Sequence, residues 1–157
     1  MSTRGTLAVK IDGVVKGSYN HSDSYPTWLG NRVLEFIHDA RPQLAEVREK
    51  ARALTALTAD QKPTAKDIRR LKKYTNLGVS EGNTQDWYCL LRGTQGNLAS
   101  ILDAGLYEPF TVGDEEWSYV VDLDEETLHI YHGSDHKAGI PFAEVPREFL
   151  ADDLSWA

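Results

Sequence analysis

The dipeptide Asp12-Gly13 constrains the fold more than any other feature, because it interrupts a stretch of alternating apolar and polar residues, TRGTLAVKIDGVVKGSYN. An Asp-Gly pair between two such runs predicts a β-hairpin with a two-residue turn. That turn fixes the register of the two strands, so Ile11 is expected to pair with Val14.

The same register predicts that four polar side chains share one face of the hairpin. Thr6 is expected opposite Tyr19, and Arg4 opposite His21. Because alternate residues of a strand point to the same face, these side chains should lie together, provided that no bulge intervenes.

Several helices are predicted after the hairpin. Apolar residues recur at helical spacing over 27–39 and 42–57. Thr64, followed by Asp67, is typical of a capping box at the start of a third helix. Two more short helices are expected, one on each side of residues 93–96.

A second hairpin is predicted in WSYVVDLDEETLHIYHG. A four-residue turn, Asp124 to Thr127, would place Asp122 opposite His129, and the tail beyond is expected to be irregular. The whole pattern predicts a single α+β domain over residues 1–157. Its antiparallel sheet would be built from an N-terminal and a C-terminal hairpin, with the helices between them packed on one face.

The distribution of charge limits the classes of partner. The chain of 157 residues has a net charge of −7, which does not favour nucleic acid as a partner. From Asp103 onward there are fourteen acidic residues and two basic ones, whereas residues 62–73 contain six basic residues and one acidic one. The basic segment is interpreted as a solvated helix face, with an anionic partner as the alternative.

No run of residues has the length of about 18 to 20 apolar side chains that a membrane span needs. The N-terminus has no apolar signal-peptide core either. A cytoplasmic protein with no membrane partner is therefore expected.

Polar and aromatic side chains are concentrated in residues 18–30, SYNHSDSYPTWLG. Because helix capping needs only one or two of them, we interpret the stretch as part of a polar pocket at the sheet edge. Arginine suits phosphate or carboxylate, and tyrosine can stack on a ring. The predicted ligand-binding residues are Arg4, Tyr19, Asn20, His21, Asp23 and Tyr25.

Structural roles for these residues stay open. Asp23 or Ser24 could cap the helix after Pro26, and Arg4 could form an ion pair with Asp23. A catalytic role also stays open, with His21 as a general base that Asp23 orients.

Neither a metal nor a cofactor is predicted. Cys89 is the one cysteine of the sequence, and it lies in an apolar run that favours a buried thiol. Asp122 and His129, with His132 and His136 nearby, do not have a familiar metal-ligand spacing.

The motifs STRG, YNHSDSYP, WYCLLRGTQGNLASIL and YVVDLDEETLHIYHG resemble a group of small, uncharacterised bacteriophage and bacterial proteins. Its members share a Thr-Arg-Gly start and a Tyr-Asn-His-x-Asp-Ser-Tyr-Pro signature. The resemblance implies expression in a bacterial host cytoplasm and an interaction with the host.

The opening STRGTLAVKIDGVV is also similar to N-terminal-nucleophile hydrolases, although the chain is short for that fold. This similarity implies removal of Met1, after which the amine of Ser2 would serve as the base for its own hydroxyl.

Three functions are therefore expected as alternatives. The first is a small accessory protein, of the phage type, that binds a small anionic and nucleotide-like ligand and so sequesters a host signalling molecule. The second is a hydrolase that uses Ser2, or His21 with Asp23. The third is a factor that binds a host protein through its acidic C-terminal third. The sequence does not indicate the oligomeric state.

Overall fold

A mixed five-stranded sheet is the framework of the computed structural model, which describes residues 3–107 and 110–154. The strands of these residues are β1 (Gly5–Ile11), β2 (Val14–Asn20), β3 (Ala56–Leu57), β4 (Leu106–Tyr107), β5 (Trp117–Asp122), β6 (Thr127–His132) and β7 (Asp135–Pro141). The α-helices are α1 (Asn31–Ala40), α2 (Leu44–Ala53), α3 (Ala65–Arg70), α4 (Trp87–Leu91) and α5 (Leu98–Ala104). The sheet order is β2-β1-β5-β6-β7, and β3 pairs separately with β4.

The N-terminal hairpin has the predicted register. Ile11 pairs with Val14 and Thr6 with Tyr19. Asp12 and Gly13 both have positive φ, 51° and 78°, as a two-residue hairpin turn requires. Their backbone N–H groups donate to the carboxylate of Asp124 at 2.7 and 2.8 Å, which ties this turn to the second hairpin.

The α+β class is confirmed, but the prediction of an antiparallel sheet is wrong in one respect. β1 and β5, the first strands of the two hairpins, are parallel neighbours, with Leu7 beside Tyr119 and Val9 beside Val121. Parallel neighbours need a crossover of a dozen or more residues. The helical segment between the hairpins supplies that crossover.

The second hairpin forms with a register that differs from the prediction. Asp122 pairs with Thr127, not with His129. The cause is the Asp122 side chain, which accepts hydrogen bonds from the backbone N–H groups of Asp124 and Glu125, both at 3.0 Å, and so starts the turn earlier.

The expectation of an irregular tail is wrong as far as Pro141, because β7 adds an edge strand to the sheet. Ala138 and Ile140 are buried, whereas the residues beside them are exposed. Gly139 and Pro141, which are typical of loops, conceal this alternation in the sequence.

The main hydrophobic core lies between the sheet and helices α1, α2 and α5. Leu7, Val9, Tyr119 and Val121 are at most 1% exposed on that face. On the opposite face, Thr6, Ala8, Ser118 and Val120 are at most 4% exposed. Both faces of the central strands are therefore covered.

Helix boundaries follow local signals. A wide turn over Pro26–Gly30 precedes α1, and α2 ends at Ala53 because the chain then enters β3. The capping box of α3 is present: Thr64 Oγ1 accepts from the N–H of Asp67 at 3.1 Å.

Cys89 is buried, as expected. Among the helices of the described residues, none has the length and apolarity to cross a membrane.

Gly5 permits a close approach that the hairpin needs. A Cβ at this position would lie 2.7 Å from Ser24 Oγ and 2.7 Å from the carbonyl oxygen of Trp117. We expect Gly5→Ala to lower the free energy of unfolding by about 1–3 kcal/mol through overpacking. Urea denaturation measures this change. Gly139→Ala is the matched control, because its Cβ would meet its nearest atom at an ordinary 3.4 Å. Equal effects of the two substitutions would contradict the close approach.

Stability should fall in acid because of His129. Burial of its ring and the neighbouring His136 imidazole hold the pKa of His129 below its ordinary value, although the Asp122 carboxylate and Glu125 oppose this and Lys10 assists it. The folded state therefore binds fewer protons than the unfolded chain below about pH 6.5. The stabilisation is present above that pH and is lost as the pH falls through the folded pKa.

We expect urea midpoints measured between about pH 5 and pH 8 to fall less steeply toward acid in His129→Gln than in the wild-type protein. His129 Nδ1 lies 2.9 Å from His136 Nε2, and this close contact is where the neighbouring imidazole lowers the pKa of His129. Identical slopes for the two proteins would show that His129 does not set the pH dependence.

Candidate functional site

An open cleft of about 530 Å³ lies where the N-terminal hairpin meets the segment around α4 and the short strand β4. We call it the arginine–tyrosine cleft. It is lined by Arg4, Tyr19, His21, Val79, Ser80, Tyr88, Arg92 and Tyr107.

The hairpin register brings Arg4, Tyr19 and His21 to this cleft. Arg4 directly precedes β1, Tyr19 lies near the end of β2, and His21 follows it. The three residues line the same cavity, as alternation along paired strands predicts.

The other side of the cleft comes from α4 and the turn after it. Asp86 accepts a hydrogen bond from the N–H of Tyr88 at 2.9 Å and so begins the helix. Tyr88 and Arg92 are four residues apart, and this spacing places them on one helix face. The ring of Tyr88 meets that of Tyr107 edge-on, with the centroids 5.2 Å apart.

Tyr19 and His21 form a polar pair inside the cleft. Tyr19 Oη lies 2.8 Å from His21 Nδ1. Burial raises the pKa of Tyr19, and Glu115 adds to this, whereas the guanidinium groups of Arg4 and Arg92 act in the opposite direction. The hydroxyl of Tyr19 is therefore protonated at neutral pH and can donate to His21.

Neither arginine of the cleft is neutralised by the described part of the chain. Nε of Arg92 is buried and has no hydrogen-bond partner among residues 3–107 and 110–154. Arg4 is exposed, and the ion pair with Asp23 that the sequence allowed is not formed. Two guanidinium groups that form no ion pair within the described residues line one open cleft, and this arrangement favours an anion there.

The remaining predicted ligand-binding residues do not line the cleft. Asn20 is 4% exposed and donates to the carbonyl oxygen of Ser22 at 2.8 Å and to Ser24 Oγ at 2.9 Å, so it holds the loop together. Asp23 lines a second cavity, and Tyr25 lines a third one beside Trp117. Of the six predicted ligand-binding residues, the structure therefore brings Arg4, Tyr19 and His21 together.

The predicted catalytic pair is not assembled in this structure. His21 and Asp23 form neither a hydrogen bond nor an ion pair among the described residues, and they line different cavities. Asp23 is exposed and has a φ of 53°. Ser2, the other catalytic candidate, lies outside the described residues.

The start of the helical segment after Pro26 is capped from a distance, not by Asp23 or Ser24. Asp152 accepts hydrogen bonds from the backbone N–H and the hydroxyl of Thr27, at 3.0 and 2.7 Å. The C-terminal segment therefore fixes the direction in which the chain enters α1.

Sequence reasoning missed Tyr88, Arg92 and Tyr107. The spacing of Tyr88 and Arg92 was a local signal for a shared face, but nothing local indicates that this face meets the N-terminal hairpin.

The glycine-bearing stretch 93–97 is a helix break, because Asn97 Oδ1 caps α5 by accepting from the N–H of Ser100. Within the described chain, no group of three or more histidine, cysteine or acidic side chains could hold a metal ion.

No protein-family model, curated protein or solved structure matches this chain. The resemblance to phage proteins and the weaker similarity to N-terminal-nucleophile hydrolases therefore stay predictions.

The capping role of Asp152 can be measured. We expect Asp152→Ala to lower the free energy of unfolding by about 1 kcal/mol, because the N–H of Thr27 loses its partner. Asp23→Asn is the control, since asparagine tolerates the positive φ at this position. Urea denaturation of the two variants should show a loss in the first and little change in the second. A loss of stability in Asp23→Asn and none in Asp152→Ala would show that Asp23 is the capping residue.

Proposed function

We propose that this protein binds a small anionic, nucleotide-like ligand in the arginine–tyrosine cleft. The observation that carries the proposal is that Arg4 and Arg92, which form no ion pair within the described residues, line one cleft together with three tyrosines. Its volume, about 530 Å³, is that of a small-molecule site.

Charge recognition would come from the two arginines. A guanidinium group presents its N–H donors in a planar fork that matches phosphate or carboxylate oxygens. The protein as a whole carries a charge of −7, so attraction of an anion depends on this local pair. Arg4 is free to move toward the ligand because it is exposed, whereas Arg92 is partly buried and already in place.

Ring recognition would come from the tyrosines. Tyr19 and Tyr88 line the cleft, and tyrosine rings can stack on a flat base. His21 would donate from Nε2 to the anion, because its Nδ1 accepts from the hydroxyl of Tyr19.

A binding function is favoured over hydrolysis by the separation of His21 from Asp23, which leaves the proposed base without its orienting carboxylate. Docking of a host protein on the acidic C-terminal third is less favoured. Several of these acids are used within the chain: Asp103 pairs with Lys50, Asp124 holds a turn, and Glu126 pairs with Arg48.

The setting that we propose is a bacterial cytoplasm, with a phage-encoded protein that removes a host signalling nucleotide from solution. The support for this setting is the resemblance of the N-terminal motifs to phage proteins, together with the anion-binding character of the cleft.

A thermal-shift screen tests the ligand. We expect AMP, ADP, ATP or their guanine counterparts to raise Tm, with a stabilisation of about 2.7 kcal/mol at a hundredfold excess over Kd. Arg4→Ala and Arg92→Met should each weaken binding about ten- to a hundredfold, through loss of a charge-assisted hydrogen bond.

Arg69→Ala is the matched control, because Arg69 is an exposed arginine of α3 that does not line the cleft. The unliganded Arg92→Met protein should be at least as stable as the wild type, since it loses a buried donor that has no partner. Absence of any nucleotide-dependent shift, or full shifts in both cleft variants, would contradict the proposal.

A further inference from the structure

A second compartment adjoins the arginine–tyrosine cleft and shares Arg92 with it. This cavity, about 160 Å³, is lined by Asn20, Ser22, Asp23, Trp28, Leu29, Arg32, Arg92, Gln95 and Gly96. Arg92 therefore lines both compartments. Its Nε is the buried donor that has no hydrogen-bond partner among the described residues.

The partition between the two compartments is fixed in place. The backbone N–H of His21 donates to Oε1 of Gln95 at 2.8 Å. His21 lines the first compartment and Gln95 the second.

The rim of the second compartment carries an exposed tryptophan. Trp28 is 60% exposed, which is unusual for the largest apolar side chain. Within the described part of the chain, its indole stacks on no other ring. Arg32, an exposed arginine of α1, lines the same compartment.

From these contacts we infer that the ligand is of the dinucleotide class, with two aromatic bases joined through phosphate. This inference rests on the proposed function. The first base lies among Tyr19, Tyr88 and Tyr107. The bridging phosphate lies at Arg92, between Arg4 and Arg32. The second base stacks on Trp28.

The sizes and charges of the compartments support this division. The second compartment is too small to enclose a nucleoside, so the second base must lie on the indole at the rim rather than inside. The carboxylate of Asp23 repels the phosphate, which is therefore expected beside Arg92 and Arg32. The same carboxylate can accept hydrogen bonds from a ribose hydroxyl or from the amino group of a base.

Titration calorimetry with AMP and with the linear dinucleotide pApA separates this inference from the proposed function. We expect the wild-type protein to bind pApA at least about tenfold more tightly than AMP, because one base stacks on Trp28. Trp28→Ala should remove that advantage and leave AMP binding unchanged. Trp28→Phe should retain most of it. Arg92→Met should weaken both ligands.

Val14→Ala is the control for loss of an exposed apolar side chain, since Val14 is 54% exposed and lines neither compartment. If AMP binds through Arg92 but pApA binds no more tightly, or if Trp28→Ala weakens AMP and pApA equally, the dinucleotide inference is overturned and the proposed function stands. If neither ligand binds, both are overturned.

Discussion

The parallel ladder between β1 and β5 is the interaction on which the rest of the structure depends. It joins two hairpins that are far apart in the sequence, and hydrogen bonds continue it beyond both strand ends. The N–H of Leu123 donates to the carbonyl oxygen of Lys10 at 2.9 Å, and that of Trp117 donates to the carbonyl oxygen of Arg4 at 3.4 Å. Because the backbone of Arg4 is held in this way, its side chain starts beside Tyr19 and His21.

Local signals in the sequence were sufficient for the elements that local contacts determine. Asp12-Gly13 predicted the first hairpin and its register, and Thr64 predicted the capping box of α3. Features that depend on contacts between distant residues were not predictable in this way. The parallel pairing of the hairpins depends on the packing of the crossover, and β7 depends on the free edge that β6 offers.

The residues of the candidate site fall into the same two groups: local signals predict some of them, and contacts between distant residues determine the others. Strand alternation was enough to place Arg4, Tyr19 and His21 together. It could not show that Asn20 turns inward to Ser24, because that contact belongs to the loop. It also could not show that Arg92 reaches the cleft, because the crossover brings α4 to the N-terminal hairpin. A sheet edge supplies half of the site, and the tertiary fold supplies the other half.

The long crossover between β2 and β5 also affects the order in which the protein assembles. Each hairpin closes a short loop and can form in about 1–10 μs. The ladder between β1 and β5 must first offset the entropy of closing a loop of roughly a hundred residues, so it forms later. During synthesis, the backbone of Arg4 is not anchored until the second hairpin has left the ribosome. A nascent chain therefore emerges without a finished site and completes it only once β5 has paired with β1.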